Sequence, residues 1–286
     1  MTTTTAATAR PTASARLRRT PWDLYAALAA TVLFALAALW PQLLASQGPF
    51  SMDLANTLQP PTGAHWFGTD EAGRDLFSRV VHGTSASLGI GIGAAAVSLG
   101  FAVLLGTLAA LGNRVTAAAV GWLLEVAFAF PALLLSLLLI AVLGPSILTL
   151  ILAVGIGTAP GYARMVRGQI LSAKGSPYVE AAVALGHSRA RILRQHILPN
   201  SLRPLVAVFA LSIGQSIVWA SSLSFLGLGI APPAAEWGAL LDAGRGYVTV
   251  AGWLTVIPGL VIVVLALTTT TLGRHLQTFL EKGEKR

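Results

Sequence analysis

The sequence predicts an all-α membrane protein with six transmembrane helices, and three observations support this fold class. Hydrophobic residues make up 55% of the 286-residue chain and charged residues only 10%, whereas soluble domains carry about 25% charged residues. Six apolar runs are long enough to cross a hydrocarbon layer of about 30 Å. The runs are continuous rather than alternating, so they predict helices instead of the strands of a membrane barrel.

These runs define one membrane domain at residues 21–280. Residues 1–20 show no apolar periodicity and are predicted to be a disordered tail, and residues 281–286 form a second tail. The first run exceeds the roughly 7–15 apolar residues of a signal peptide, so we expect it to stay as a span. The predicted spans lie near 24–44, 85–111, 117–142, 146–165, 204–227 and 248–272.

The basic residues predict the orientation of the chain. An even number of spans puts both termini on one side of the membrane, together with the loops after the second and fourth spans. Sixteen Lys and Arg residues fall on that side and three on the other. Because basic loops stay on the cytoplasmic side, we expect both termini in the cytoplasm.

Residues 172–203, between the fourth and fifth spans, carry a charged insert with the composition of a surface. Ser176 followed by Pro177 predicts the start of a short helix, with Glu180 in its first turn. Gly186 is placed to end that helix.

A second short helix is predicted after this turn. Ser188 can cap it, and Ala190, Leu193 and Ile197 share one face by their spacing of three and four residues. Pro199 is expected to stop it. The insert is therefore predicted to be a helical hairpin at the membrane surface.

A hairpin of this size cannot bury its apolar face alone, so it must rest on the helix bundle, on lipid headgroups or on another protein. An interfacial amphipathic hairpin and a solvated basic loop remain alternatives to a protein-docking element. DNA binding is disfavoured, because the flanking spans hold the hairpin too close to the membrane to enter a groove.

The stretch EAAVALGHSRARILRQHILPN resembles the EAA loop of ABC importer permeases, in which Glu-Ala-Ala precedes a Gly and then Ile-Leu-Pro. Two further stretches, HWFGTDEAGRDLFSRVVHGT (65–84) and SLSFLGLGIAPPAAEWGALL (222–241), resemble signatures of the dipeptide, oligopeptide and nickel branch of this family. The resemblance extends over residues 22–280. The matching loop positions are Glu180, Ala181, Ala182, Gly186, Ile197, Leu198 and Pro199.

This resemblance implies the fold of a type I ABC importer permease and a set of partners. A second homologous permease would complete the pore, two cytoplasmic ABC ATPases would bind ATP and Mg, and an extracytoplasmic protein would deliver the substrate. The chain would lie in the lipid of a bacterial inner membrane without a cofactor, a metal or a nucleic acid of its own. Di- or oligopeptides are the implied substrates, with nickel or another small solute as the alternative.

The resemblance also implies a role for the hairpin. Residues from Glu180 to Gly186 would fit into a cleft of the ATPase, and Arg189, Arg191 and Arg194 would face the rim of that cleft, where charge complementarity favours correct docking.

On the opposite side, the segment before the second span carries charges at helical spacing. Glu71 with Arg74, and Asp75 with Arg79, can pair along a short helix after Gly68. Two interpretations are open: a surface that meets the binding protein or the partner permease, and a solvated interfacial helix.

The fifth span ends in the sequence SFLGLG, which suits a gate near the outer mouth of a pore. Gly227 and Gly229 allow close backbone approach beside Phe225, and Pro232 and Pro233 prevent the helix from continuing. Plain helix packing followed by a loop predicts the same sequence.

Glu125 lies inside the third span, where an ionisable group is costly and usually faces the bundle or a water-filled cavity. It is predicted either to line the pore or to bond to a neighbouring helix. An acidic residue expected in relatives just before the stretch that reads Ser-Ser-Leu-Ser-Phe here is Ala220 in this chain, and the C-terminal pattern departs from theirs at Thr270 and Arg274.

Other classes of function lack support in the sequence. No lysine lies in a Gly-Lys-Ser/Thr phosphate-binding loop, no histidines have metalloprotease spacing, and the chain has no cysteine. Catalysis within the chain is therefore not expected. A proton-coupled carrier would need a histidine in mid-span or an inverted repeat of interrupted spans, and a membrane scaffold or receptor would need no docking hairpin.

Overall fold

The computed structural model describes residues 22–284, with side chains through Glu281, and the predicted tail at 1–20 lies outside this range. Within the described residues the chain is helical, with one isolated bridge between Thr69 and Asp75 and no strand. The helices are α1 (Trp22–Leu39), α2 (Leu76–Leu111), α3 (Arg114–Ala129), α4 (Ala132–Leu143), α5 (Ile147–Lys174), α6 (Pro177–Ala184), α7 (Arg189–Ile192), α8 (Leu198–Leu202), α9 (Leu205–Leu223), α10 (Trp237–Arg245) and α11 (Trp253–Glu284).

Five helices among residues 22–284 are long and apolar enough to cross a membrane, and a bent pair of helices can supply a sixth span. This pair, α3 and α4, replaces the single run predicted at 117–142 and bends by 93°. The bend has a clear cause, because Phe130 takes an extended conformation before Pro131, which lacks the N–H that would continue the helix.

The other helices overlap the predicted spans but have different ends. α2 begins at Leu76 rather than near residue 85, because the Asp75 carboxylate accepts the Ser78 N–H at 2.8 Å and caps the helix. At the other end of the chain, α11 continues through Glu284, so residues 281–284 of the predicted tail extend the last helix.

Small residues set the closest contacts between the spans. A Cβ added at Gly106 of α2 would lie 2.7 Å from the Ala163 carbonyl oxygen and 2.8 Å from the Val166 Cβ in α5. A Cβ at Gly214 of α9 would lie 3.0 Å from the Ala266 Cα in α11. In lipid, where the hydrophobic effect does not drive helices together, this close packing is a main source of their association.

We expect Gly106→Val to weaken the contact between α2 and α5. The added side chain has no room against Ala163 and Val166, and overpacking of this kind costs about 1–3 kcal/mol. The measurement is the apparent melting temperature of the purified protein in detergent. Gly100→Val is the matched control, because a Cβ at Gly100 of the same helix meets nothing within 4 Å. Equal melting temperatures for the two variants would contradict this account of the packing.

Candidate functional site

The hairpin, residues 172–203, begins where α5 ends. Pro177 occupies the first turn of α6 as predicted, but the Ser176 hydroxyl does not cap the helix and donates instead to the Ala173 carbonyl. At the end of α6 Gly186 has φ +77°, and the N–H of His187 bonds to the Ala182 carbonyl at 3.1 Å. This is the pattern of a Schellman turn, in which glycine takes the left-handed conformation at low cost.

The second half of the hairpin differs from the predicted single helix. The Ser188 hydroxyl accepts the Arg191 N–H at 3.3 Å and caps α7 as predicted. The prediction that Pro199 stops the helix is wrong, because a π-helical turn over Leu193–Ile197 leads directly into α8. In this turn the Leu198 N–H bonds to Leu193, which widens the backbone just before the proline ring.

The π turn also shifts the apolar face of the second half of the hairpin. Ala190, predicted on that face, is exposed, and Ile192 is buried in its place next to the half-buried Leu193. Ile197 is buried as expected. The extra residue in the turn rotates the following side chains relative to the preceding ones, so simple helical spacing does not apply across it.

The hairpin has an inner face that packs on the transmembrane helices. Val179 and Ala182 of α6, with Ile192 and Ile197, join one core cluster with residues of α2 and α5, among them Val166 and Ile170. This contact fixes the hairpin to the bundle, so its position depends on the helices below it.

Apolar side chains of the hairpin are also exposed. Val183 and Leu185 are 60% and 75% exposed, and Tyr178 beside them is also exposed. Gly186 lies at the end of α6, with no atom within 4 Å of an added Cβ. These side chains are available for contact with another protein or with lipid headgroups.

The predicted docking residues divide between the two faces. Ala182 and Ile197 are buried, and Leu198 is half-buried. The remaining predicted residues are exposed, and they are Glu180, Ala181, Gly186, Arg189, Arg191, Arg194 and Pro199. The hairpin therefore exposes both charged and apolar side chains.

The charged segment at 65–84 does not form the short helix predicted directly after Gly68, and it does not match the solvated alternative. Asp70, Arg74 and Arg79 are buried, and the chain turns at Gly68 and Gly73, both with positive φ, before α2 begins. Glu71 pairs with Arg74 at 2.8 Å as predicted. The predicted pair of Asp75 with Arg79 does not form, because Asp75 caps α2 and faces the His65 ring instead.

Arg79 holds this segment to a distant loop. Its guanidinium pairs with the Asp70 carboxylate and donates to the carbonyls of Pro233 at 3.1 Å and Ala234 at 3.0 Å. A buried charge is tolerated when it is paired and hydrogen-bonded in this way. The two stretches that resemble family signatures are thus bonded to each other.

A second buried group supports the same junction. The Glu236 carboxylate caps α10 by accepting the N–H groups of Gly238 at 2.8 Å and Ala239 at 2.9 Å. The Trp237 indole beside it donates to the Val80 carbonyl at 2.9 Å. Removal from water raises the pKa of Glu236 above its ordinary value, although the hydrogen bonds act in the opposite direction.

The predicted gate residues lie at the end of α9. Gly227 has φ +79° within a π-helical turn over Ser224–Leu228, and a Cβ at Gly229 would overlap the Ser224 side chain. Phe225 is exposed and lines an apolar groove between α9 and α11. The glycines thus serve a tight turn against α10 and the phenylalanine lies on the surface beside it.

Glu125 and Ala220 occupy different environments. Glu125 is exposed on α3, and its carboxylate has no hydrogen bond or ion pair with any residue in the described part of the chain. Ala220 is buried in an apolar cluster with Leu223 and Ile90. Within residues 22–284 no group of three or more His, Cys, Asp or Glu is arranged to hold a metal.

Sequence reasoning missed a cavity of 530 Å³ bounded by α3, α4, α5 and α9. Its lining includes Tyr162, whose hydroxyl donates to the Gln215 side-chain carbonyl at 2.7 Å. The available signals were Pro131, Pro160 and a glutamine in mid-span, each of which is irregular for a membrane helix.

The bundle of membrane helices with its exposed hairpin defines a membrane-embedded transport subunit, and comparisons with known proteins agree. Residues 102–283 match the family described as binding-protein-dependent transport system inner membrane component. The chain is 40% identical to a probable D,D-dipeptide transport system permease protein of Escherichia coli, over 87% of this chain and 84% of the relative. It is 36% identical to a glutathione transport system permease protein of Pectobacterium atrosepticum, over 92% and 91% of the two chains.

Solved structures show the same fold at low sequence identity. An amino acid ABC transporter aligns with a TM-score of 0.58 and 17% identity, covering 70% of this chain and 93% of that chain. The MetNI methionine ABC transporter in an inward-facing conformation aligns with a TM-score of 0.57 and 18% identity, covering 70% and 95%.

This chain belongs to the family of inner-membrane permease components of binding-protein-dependent ABC transport systems. The predicted fold class, that of a type I ABC importer permease, is confirmed. The chain is a multi-pass membrane component of a transport complex and is not catalytic by itself.

The raised pKa of Glu236 predicts a pH dependence of stability. The folded protein holds this proton to higher pH than the unfolded chain, so stability falls as pH rises from about the ordinary glutamate value of 4.3 through the raised value. Glu236→Gln removes that titration and should flatten the profile of melting temperature in detergent between about pH 4.5 and 8. Glu180→Gln, at an exposed glutamate, should keep the wild-type profile. Parallel profiles for wild type and Glu236→Gln would contradict the assignment.

Proposed function

We propose that this chain is a pore-forming permease subunit of an ATP-driven importer for di- or oligopeptides. The observation that carries the proposal is the hairpin itself, with one face packed on the bundle and the apolar side chains of Val183 and Leu185 left exposed. Relatives named for dipeptide and glutathione transport support a peptide substrate over nickel or another small solute. Membership in an ABC transport family disfavours the proton-coupled carrier.

The partners follow from this role. A cytoplasmic ABC ATPase receives the hairpin, and a second ATPase receives the matching hairpin of a second, homologous permease subunit. An extracytoplasmic binding protein delivers the substrate, and lipid covers the exposed apolar faces of the spans. ATP and Mg bind to the ATPases, and this chain contributes no cofactor site.

The membrane domain of the proposed permease covers residues 21–280, with the bent pair of α3 and α4 counted as one of its six spans. Both termini and the hairpin then share the cytoplasmic side of the inner membrane. The support for this orientation is the excess of sixteen basic residues over three on the other side.

The proposed coupling runs through two helices. The hairpin connects directly to the end of α5 at Lys174 and to the start of α9 at Leu205. Closure of the ATPases on ATP therefore moves α5 and α9 together, because the inner face of the hairpin packs on the same bundle. Phe225, Gly227 and Gly229 at the far end of α9 form the outer gate, and Glu125 faces the pore.

Charge guides the docking. The exposed groups Arg189, Arg191 and Arg194 meet acidic groups at the rim of the ATPase cleft, and Glu180 meets a basic group. Rim charges of this kind mainly increase the rate and the specificity of association. The exposed side chains of Val183 and Leu185, with Gly186, occupy the floor of the cleft.

The proposed complex can be tested by purifying the tagged chain from its native membrane in mild detergent and identifying what accompanies it by mass spectrometry. Recovery of a Walker-motif ATPase and a second six-span permease, with ATP-dependent dipeptide uptake after reconstitution, is expected. Recovery of the chain alone, with uptake that survives ATP depletion and collapses with the proton gradient, would overturn the proposal.

Gly186→Arg should lower substrate-stimulated ATPase activity of the complex by more than about tenfold. The arginine adds bulk and charge at the end of α6, where an added Cβ meets no atom of residues 22–284 within 4 Å. Steady-state ATP hydrolysis by the reconstituted complex is the measurement, with melting temperature as a check that the chain stays folded.

Two controls separate the causes. Gly186→Ala introduces the strain of a side chain at φ +77° without the bulk, and Gly168→Arg adds the same charge at an open glycine on α5. Both should keep most of the activity. Normal hydrolysis by an assembled Gly186→Arg complex would place the docking contact elsewhere.

A further inference from the structure

The 530 Å³ cavity lies near the middle of the membrane-spanning region. Tyr162 is close to the midpoint of α5, Gln215 is close to the midpoint of α9, and Phe130 is at the break between α3 and α4. Because these lining residues lie near the middle of their spans, the cavity lies at mid-depth of the bundle. It opens on the side where Phe128, Phe130 and Gln215 are exposed.

Irregular backbone borders this cavity. Phe130 is extended and Pro131 has no N–H, so carbonyl groups at the end of α3 lack helical partners. Pro160 likewise removes one hydrogen bond inside α5. At membrane depth such backbone is tolerated only where it is buried in protein or lines a water-filled space, and this subunit alone leaves Phe130 exposed.

The polar pair in the cavity leaves capacity for a ligand. The Tyr162 hydroxyl donates to the Gln215 carbonyl oxygen, and the Gln215 amide nitrogen has no partner among residues 22–284. The amide can therefore donate to a ligand, and the phenol oxygen can accept from one. Polar side chains within a membrane span are costly to keep, so their presence indicates a function.

The lining also limits what can bind. Among the described residues the lining includes no Asp, Glu, Lys or Arg, and the nearby Arg164 guanidinium lies over the Phe128 ring, 4.5 Å from its centre. Phe128, Phe130 and Trp219 supply aromatic surface around the polar pair. Such a site suits a solute that carries amide groups and variable side chains, because the lining itself has no charged side chain that would select one charge. The volume lies within the range of about 300–1,000 Å³ found for small-molecule sites.

We propose that this cavity is a contact site for a short peptide on its way through the membrane, with Gln215 and Tyr162 bonding to its amide groups. The proposal rests on the function proposed above, because it assumes that the importer carries peptides. The site holds the peptide weakly, since only a few polar groups engage it and release must follow.

The absence of cysteine from the chain allows a direct test. Gln215→Cys places one thiol in the cavity of this subunit, and Ser222→Cys places one in a separate groove on the same helix. Each variant is assembled into the full complex and reacted with a small hydrophilic methanethiosulfonate. The binding protein is supplied either empty or loaded with a dipeptide, with the nucleotide state unchanged. The mass of this chain reports the rate of labelling.

Loaded binding protein should slow labelling of Gln215→Cys by at least about fivefold relative to empty binding protein, and should leave labelling of Ser222→Cys nearly unchanged. Met165→Cys, also in the cavity lining, is a second reporter if the first variant does not assemble. Equal labelling with and without dipeptide at either cavity position, or an equal decrease at Ser222→Cys, would overturn the proposal.

A transport measurement distinguishes the two proposals. Gln215→Leu should lower the dipeptide transported per ATP hydrolysed by at least about threefold, whereas Gln169→Leu, at an exposed glutamine of α5 outside the cavity, should not. If the wild-type complex transports no peptide, the proposed function fails. If the wild-type complex transports peptide and the two variants transport equal amounts of dipeptide per ATP hydrolysed, only the proposed contact site is contradicted.

Discussion

The structure depends on one constraint: inside a hydrocarbon layer every backbone N–H and C=O must find a partner within the protein. Continuous helices satisfy this constraint, and the described part of the chain contains five helices that are long and apolar enough to cross a membrane. The departures from regular helix at Phe130, Pro160 and Gly227 are therefore informative, because each needs local compensation. The first two border the mid-depth cavity and the third joins the spans to an ordered loop.

The same reasoning explains how the two ends of the bundle differ. At the end that carries residues 65–84, Arg79 and Asp70 are buried and paired with each other, and two carbonyls from a loop far along the chain accept hydrogen bonds from Arg79. Leaving either charge unpaired would cost about 3–5 kcal/mol, so this junction resists rearrangement. At the hairpin end Val183 and Leu185 remain exposed in the described part of the chain. In the proposed complex these exposed side chains contact the ATPase.

The hairpin and the cavity share the helices that build them. α5 contributes Tyr162 to the cavity and continues to Lys174 at the hairpin, and α9 leaves the hairpin at Leu205 and contributes Gln215. In the proposed transport cycle a displacement of the hairpin changes the shape of the cavity, because α5 and α9 transmit the displacement as rigid helices. Close contacts at Gly106 and Gly214 keep these helices packed against α2 and α11 during such a movement.

The sequence by itself determined the fold class, the family and the location of the hairpin, because apolar length, loop charge and short motifs are local properties of a chain. It did not determine the bend between α3 and α4, the π turn before Pro199, the exposure of Ala190 or the burial of Asp70 and Arg79. Those features depend on which distant residues meet. The role of Arg79 becomes visible only when the Pro233 carbonyl lies beside it. Tyr162 becomes part of the proposed contact site only because Gln215 lies within bonding distance. Sequence spacing records neighbours along one helix, and only the packing of several helices brings such pairs within bonding distance.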